Sequence, residues 1–280
     1  MSASSFKKLE PEEYLRQHYQ QGLRPDGRKG LNSLRPVSIS VGSISVADGS
    51  AVVKQGDTIV VCGIKLEIAK PRAESPKKGF IVPNLALSPI CHPQFRPGPP
   101  SELAQTASHF LQESVINSGI INLDNFCILE DKYVWCIYAD LNCLNYGGNI
   151  LDTALKALVA ALTNATMPYV KVTQMENEDA IIEVDLKERR PLRLGPLPIG
   201  CTVSVFDDKL LLDPTDEEEE CSEACVTVVL CKVTTDNELC HVHKPGGVGI
   251  SPDKLQQCIT LAKKNSKTIQ RLIDTASASM

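Results

Sequence analysis

Apolar and polar positions alternate over short runs in the first third of the chain. From 37 to 68, "VSISVGSISVADGSAVVKQGDTIVVCGIKLEI" is interrupted at Asp48-Gly49 and Gly56-Asp57, which predicts a β-meander with turns at those breaks. Ahead of it, residues 11–21 have helical composition, with Leu15 and Tyr19 four apart, and "RPDGR" at Arg24–Arg28 calls for a turn. A polar loop, "AKPRAESPKKGF", follows the meander. A helix is then predicted from Ser101, a capping residue, with Leu103, Ala107, Phe110, Leu111 and Val115 on its apolar face. The apolar strand "KYVWCIYADLNCL" runs into "NYGGN" and the helix "LDTALKALVAALTNA".

Beyond Pro168 the same grammar returns. "AIIEVDL", "CTVSVFDDKLLL", "ACVTVVLCKV" and "ELCHVHK" read as strands, and a closing helix from Ser251 carries Leu255, Ile259 and Ala262 on one face. The pattern is α+β, with an N-terminal helical segment over 1–22 and two lobes over 23–168 and 169–280. Each lobe has strands followed by a helix, so the halves are expected to be pseudo-symmetric.

Composition is ordinary for a globular chain, at 42% hydrophobic and 22% charged residues. No apolar run is long enough to span a membrane, and the first thirty residues hold no apolar core of a secretory signal. Eleven cysteines with no CxxC pair predict free thiols in a reducing compartment. A net charge of −5 excludes a protein that coats a phosphate backbone unaided, so any nucleic-acid contact is local or shared with partners.

The acidic hinge in "LLLDPTDEEEECSEACVTVVL" reads in two ways. Adjacent carboxylates hold a divalent cation or share a proton, but the commoner use of such a run is a solvated surface. Cys225, Cys231, Cys240, His241 and His243 have the right chemistry for zinc, although their spacing matches no structural zinc pattern and cysteines in apolar strands are ordinarily core. Cys136 has no local histidine to activate it. The basic loops around Lys70–Lys78 and Arg96 reach phosphate together if they face one opening; singly they are solvated lysines and arginines. "HKPGGVGIS" at His243–Ser251 approaches an anion or makes a tight turn before the last helix. A strand, a glycine turn and a helix, as at 133–165, can hold phosphate on backbone N–H groups.

Five segments in order resemble the RNase PH family: "RPDGR", "ADGSAVVKQGDTIVVCGIK", "YADLNCLNYGGNILDTALKALVAAL", "LLLDPTDEEE" and "HKPGG". Within the family the chain is most similar to the non-catalytic ring subunits of the eukaryotic RNA exosome. The resemblance implies an RNase PH-like fold of two βαβ-type lobes (ribosomal protein S5 domain 2-like). It also implies six such chains in a ring with RNA threaded through the pore. Active members use inorganic phosphate to release a nucleoside diphosphate from the RNA 3′ end. They hold phosphate on a "GG(S/T)R"-like turn and place two aspartates, six apart, near the leaving oxygen.

This chain departs from that pattern at both places. Gly147, Gly148 and Asn149 keep the turn, but the arginine position holds Ile150, which brings no charge-assisted fork to the phosphate. The aspartate positions fall on Glu219 and Cys225, and a thiol of pKa about 8.5 is neutral at working pH. Glu217 and Glu223 also lie six apart. The expectation is a ring subunit without catalysis, metal or cofactor, its acidic run left as an exposed turn or interface. It would support 3′-to-5′ RNA processing and degradation beside other RNase PH-like subunits and S1/KH-type cap subunits. RNA would touch Arg72 and Arg96, with Lys77 and Lys78 behind them, through backbone phosphates alone. Residence in nucleus, nucleolus and cytoplasm accompanies that role. The rival readings are an active phosphate-dependent exoribonuclease, and a stand-alone enzyme that binds a small phosphorylated ligand at the "PGG" turn.

Overall fold

A computed structural model describes residues 7–173, 181–232 and 237–278. Helix α1 (Pro11–Gln20) starts with proline and two glutamates and buries Leu15 and Tyr19, the pair its spacing predicts. The meander forms β1 (Val37–Val41), β2 (Gly49–Gln55) and β3 (Thr58–Ala69), paired antiparallel in sequence order. Strand β4 (Phe80–Leu87) leads to α2 (Glu102–Ser118), capped by the Ser101 hydroxyl, which accepts from the Ala104 N–H at 3.3 Å. Strands β5 (Cys127–Leu129) and β6 (Tyr133–Asn145) complete a sheet of order β1-β2-β3-β6-β4, with β5 also on β6. β4 and β6 are parallel and joined through α2, a true βαβ unit.

Helix α3 (Ile150–Asn164) follows the glycine turn and is buried on nearly every side. Its polar members find partners inside. Asp152 accepts from the Thr202 N–H and hydroxyl, both at 2.8 Å, and the Lys156 ammonium donates to Gln55 at 2.8 Å. Strands β7 (Thr166–Thr173) and β8 (Ile181–Pro191) form a two-stranded sheet. The second lobe contains β9 (Pro198–Phe206), β10 (Lys209–Leu212), the short helix α4 (Asp216–Glu220), β11 (Ala224–Lys232), β12 (Asn237–His243) and α5 (Pro252–Ala278). Its sheet has order β10-β9-β11-β12 and is antiparallel throughout, so the two lobes are not copies at the level of strand pairing.

The layers follow from which strand faces are apolar. One face of β9 and β11, with Cys201, Val203, Val226 and Val228, packs on α5 through Cys258 and Ala262. The other face packs on α3, and β12 turns His241 and His243 onto Phe110 of α2. α2 and α3 therefore lie between the two sheets; α3 is buried almost all round, while α2 keeps an exposed polar side with Gln105, His109 and Asn117. The α1 segment, expected as a separate piece, docks on the second lobe through Phe206 and Leu211.

Two expectations fail here. Cys231 and Cys240 are joined by a disulfide across β11–β12, because the hairpin and its register shift bring their Cα atoms to 6.3 Å. The remaining cysteines, Cys136 among them, are free, so the expectation of free thiols holds for all but this pair. Leu103, assigned to the core face of α2, is 37% exposed; it lines a cavity instead.

Candidate functional site

The glycine turn between β6 and α3 meets the acidic run of the second lobe. Thr215 caps α4 in a reciprocal capping box with Glu218. The start of α4 packs so tightly on Gly148 (φ +82°) that a Cβ there would overlap the backbone of Thr215 and Asp216. Gly147 places its N–H on the Thr58 hydroxyl at 3.2 Å. The Asn149 N–H, at the start of α3, donates to Glu219 Oε1 at 2.8 Å, and the Tyr146 hydroxyl donates to Glu219 Oε2 at 3.0 Å. A carboxylate of the protein thus occupies the helix N-terminus where an anionic ligand would otherwise sit. Burial pushes the Glu219 carboxyl up to about 7, with Asp216 adding to the rise; the Asn149 N–H, the Tyr146 hydroxyl and Arg35 hold part of it back.

Behind the turn lies a buried ion pair that the sequence reading missed. The Asp213 carboxylate, with no solvent exposure, accepts from the Arg35 N–H at 2.8 Å, the Arg35 guanidinium at 2.8 and 3.1 Å, Gln55 at 2.7 Å and Asn149 at 2.7 Å. Burial alone would raise this carboxyl, but Arg35 and Asn149 outweigh it and hold it at about 2. Arg35 also donates to the carbonyls of Gly147 at 2.6 Å and Gly148 at 3.2 Å. A second buried pair joins Arg24, 1% exposed, to Glu218, 0% exposed. Arg24 belongs to the "RPDGR" turn and also donates to the carbonyls of Leu212 at 2.6 Å and Asp213 at 3.1 Å. No local signal marks these pairs, since their partners lie 178 and 194 residues apart.

The acidic run is therefore not the exposed turn expected of it. Asp213 and Glu218 are fully buried, Glu219 is half-buried on the glycine turn, and only Glu220 and Glu223 are exposed. The cause is the supply of internal partners: two arginines, a tyrosine hydroxyl and a helix N-terminus.

Glu219, Glu223 and Cys225 line a cavity of about 280 Å³ together with Asn149 and Ile150, and the Pro245-Gly246-Gly247 turn closes one side. Gly246 and Gly247 have φ of +78° and +76°, and the Val248 N–H donates to Glu223 O at 3.0 Å, so this segment is a tight turn docked on the acidic strand. Ile150 is 3% exposed and belongs to the core. Burial raises the Cys225 thiol to about 11. Glu217 faces the other way and pairs with Lys7, so Glu217 and Glu223 do not converge. Of the residues considered for zinc, Cys231 and Cys240 are bonded to each other, while Cys225 stands at the cavity and His241 and His243 pack on Phe110.

The basic loops do not form one patch. Arg72, Lys77 and Lys78 precede β4 and Arg96 follows it, an eight-residue strand of roughly 26 Å away. Lys77 pairs with Glu130 at 2.9 Å, Lys78 lies 4.0 Å from Asp124, and Arg72 stacks on Phe80. Arg96 is exposed next to Phe95, whose ring packs edge-on to Tyr146 at 5.4 Å, close to the cavity.

Comparison with known proteins agrees with this geometry. Residues 33–168 match the model of the 3′ exoribonuclease family, domain 1, and residues 197–265 match domain 2. The chain is 44% identical over 260 residues to exosome complex component rrp43 of Schizosaccharomyces pombe, covering 93% of this chain and 94% of that one. It is 34% identical to exosome complex component Rrp42 of Methanopyrus kandleri over 90% of this chain and 91% of the relative. A chain from the Archaeoglobus fulgidus exosome with RNA bound to the active site superposes with a TM-score of 0.81 at 26% identity, covering 93% of this chain and 96% of its own. With the two lobes matched in order and the glycine turn set against the acidic run, the chain belongs to the RNase PH family of 3′ exoribonucleases.

Proposed function

We propose that the chain is a ring subunit of an RNA exosome core and does not itself cleave RNA. The observation that carries this reading is the Glu219 carboxylate on the Asn149 N–H. Phosphorolysis needs an anion brought to an anionic ester, and here a carboxyl group of the protein already holds the N–H group that would receive it. Ile150 supplies no counter-charge. Arg35 bonds the glycine turn, but its guanidinium is spent on Asp213 and on the Gly147 and Gly148 carbonyls. Cys225 stays a neutral thiol and a poor ligand for magnesium.

The role left to such a chain is assembly. Tyr138 and Leu144 are exposed on the outer face of the first sheet, and Leu239 and Val242 on edge strand β12, as in a chain meant to be covered by neighbours. The neighbours in this reading are other RNase PH-like subunits, with S1/KH-type caps above the ring and RNA in the shared channel. Arg96, near the cavity mouth, is the RNA contact best placed to touch backbone phosphate. In this reading the chain works in nucleus, nucleolus and cytoplasm.

Native mass spectrometry of the tagged chain purified from its own cells tests the proposal. A stoichiometric assembly containing other RNase PH-like subunits is expected. A lone monomer, or a homo-oligomer that releases nucleoside diphosphates from RNA and phosphate, overturns it.

A further inference from the structure

The cavity at Glu219 has the opposite electrical character to a phosphate site. Each Glu219 oxygen accepts one hydrogen bond, and a carboxylate oxygen has capacity for more. Glu223 also lines the space, with one carboxylate oxygen accepting from the Asp207 N–H at 3.2 Å, and among the described residues no lysine, arginine or histidine lines it. The Asn149 side-chain amide lies behind this wall, its nitrogen donating to Asp152 at 3.0 Å and to Asp213 at 2.7 Å. Leu103, Ile150, Leu151 and Ala224 give the wall an apolar part, and the Thr202, Thr227 and Ser222 hydroxyls on it are bonded within the protein. The site sets a carboxylate beside hydrocarbon, with no cationic side chain on its wall among the described residues.

We propose that this cavity receives a lysine or arginine side chain presented by a partner polypeptide, with the alkyl stem along Leu103 and Leu151 and the charged head on Glu219. The inference rests on the reading of the cavity as one that no longer takes phosphate. Charge complementarity selects the occupant. Phosphates of RNA are repelled by Glu219 and Glu223. A hydrated divalent ion requires several oxygen ligands and gains nothing from an apolar wall. A polyamine would set its second ammonium against Leu103 or Leu151, at a desolvation cost. A basic side chain on a polypeptide has one charge at the end of an apolar stem, which matches both walls.

The test is titration of the full chain with N-acetyl-arginine amide while carbon NMR follows the Glu219 carboxyl. The capped citrulline analogue serves as an uncharged isostere, with spermine and inorganic phosphate as further arms. Arginine is expected to bind about tenfold more tightly than citrulline. Its binding should vanish in Glu219→Gln, which keeps an acceptor for the Asn149 N–H, and it should lower the pH at which Glu219 titrates by about one unit. Equal binding of arginine and citrulline, arginine binding untouched by Glu219→Gln, an unmoved Glu219 titration, or tighter binding of spermine would each overturn the inference. Phosphate bound in the cavity would overturn it together with the non-catalytic reading beneath it. Binding of neither arginine nor phosphate would overturn the inference alone.

Discussion

Replacing Arg24 with methionine removes the only full counter-charge within hydrogen-bonding distance of Glu218 among the described residues. Glu218 is left with the Tyr19 hydroxyl at 3.1 Å, the Thr215 N–H at 2.9 Å and the Arg28 guanidinium at 3.6 Å, all in a site closed to water. The Leu212 carbonyl loses its Arg24 donor as well, while the Asp213 carbonyl keeps Arg28 at 3.0 Å. Breaking a buried pair in this way typically costs about 3–5 kcal/mol. A loss of that size is a large share of the roughly 5–15 kcal/mol that stabilises an ordinary domain. Urea denaturation followed by the fluorescence of Trp135, the single tryptophan and buried, supplies the measurement. The double variant Arg24→Met/Glu218→Gln should recover at least half of the loss, because a neutral amide needs no counter-charge. A cost below about 1 kcal/mol for the single variant, or no recovery in the double variant, would refute the assignment of this pair as the anchor of the acidic run.

Other consequences are open to the same approach. Glu219, with its folded pKa raised to about 7, binds its proton more tightly in the native state than in the unfolded chain. It contributes about 3 kcal/mol that is fully present below pH about 4.5 and gone once the pH has risen past about 7; stability curves of wild type and Glu219→Gln should diverge over that window, with the variant lacking this decline. Gly148→Ala places a Cβ against the Thr215 and Asp216 backbone at a left-handed φ, and should cost at least about 2 kcal/mol in the same urea experiment. Reducing Cys231–Cys240, which closes a short loop, should lower stability by about 2–3 kcal/mol, read from melting with and without a reductant.

Local patterns carried much of the fold. The breaks at Asp48-Gly49 and Gly56-Asp57, the Ser101 cap and the Leu15/Tyr19 pair are statements about neighbours in the chain, and the elements they mark stand where the patterns placed them, whereas β4, β7 and α4 had no such mark. The glycine turn and its Ile150 were equally legible, because a missing arginine shows without coordinates. The fate of the acidic run was not legible. Charge density alone cannot distinguish a solvated carboxylate from Asp213, whose partner Arg35 lies in another lobe. Leu103 misled because helical spacing marks a face, not what covers it; near the start of α2 that face opens onto the cavity. The disulfide escaped because hairpin register, not cysteine spacing, brings Cys231 to Cys240.

In the role proposed for this chain, Glu219 and Ile150 leave its cavity unable to run phosphorolysis. The most direct test is nucleoside diphosphate release from end-labelled RNA with inorganic phosphate, measured on the chain alone and on a ring reconstituted with its co-purifying partners. The account predicts no release from the chain alone, and a ring whose activity, if any, is unchanged by Glu219→Gln and Cys225→Ser in this subunit. Phosphate-dependent release by the chain alone, or its loss from the ring on either substitution with assembly intact, would contradict the account.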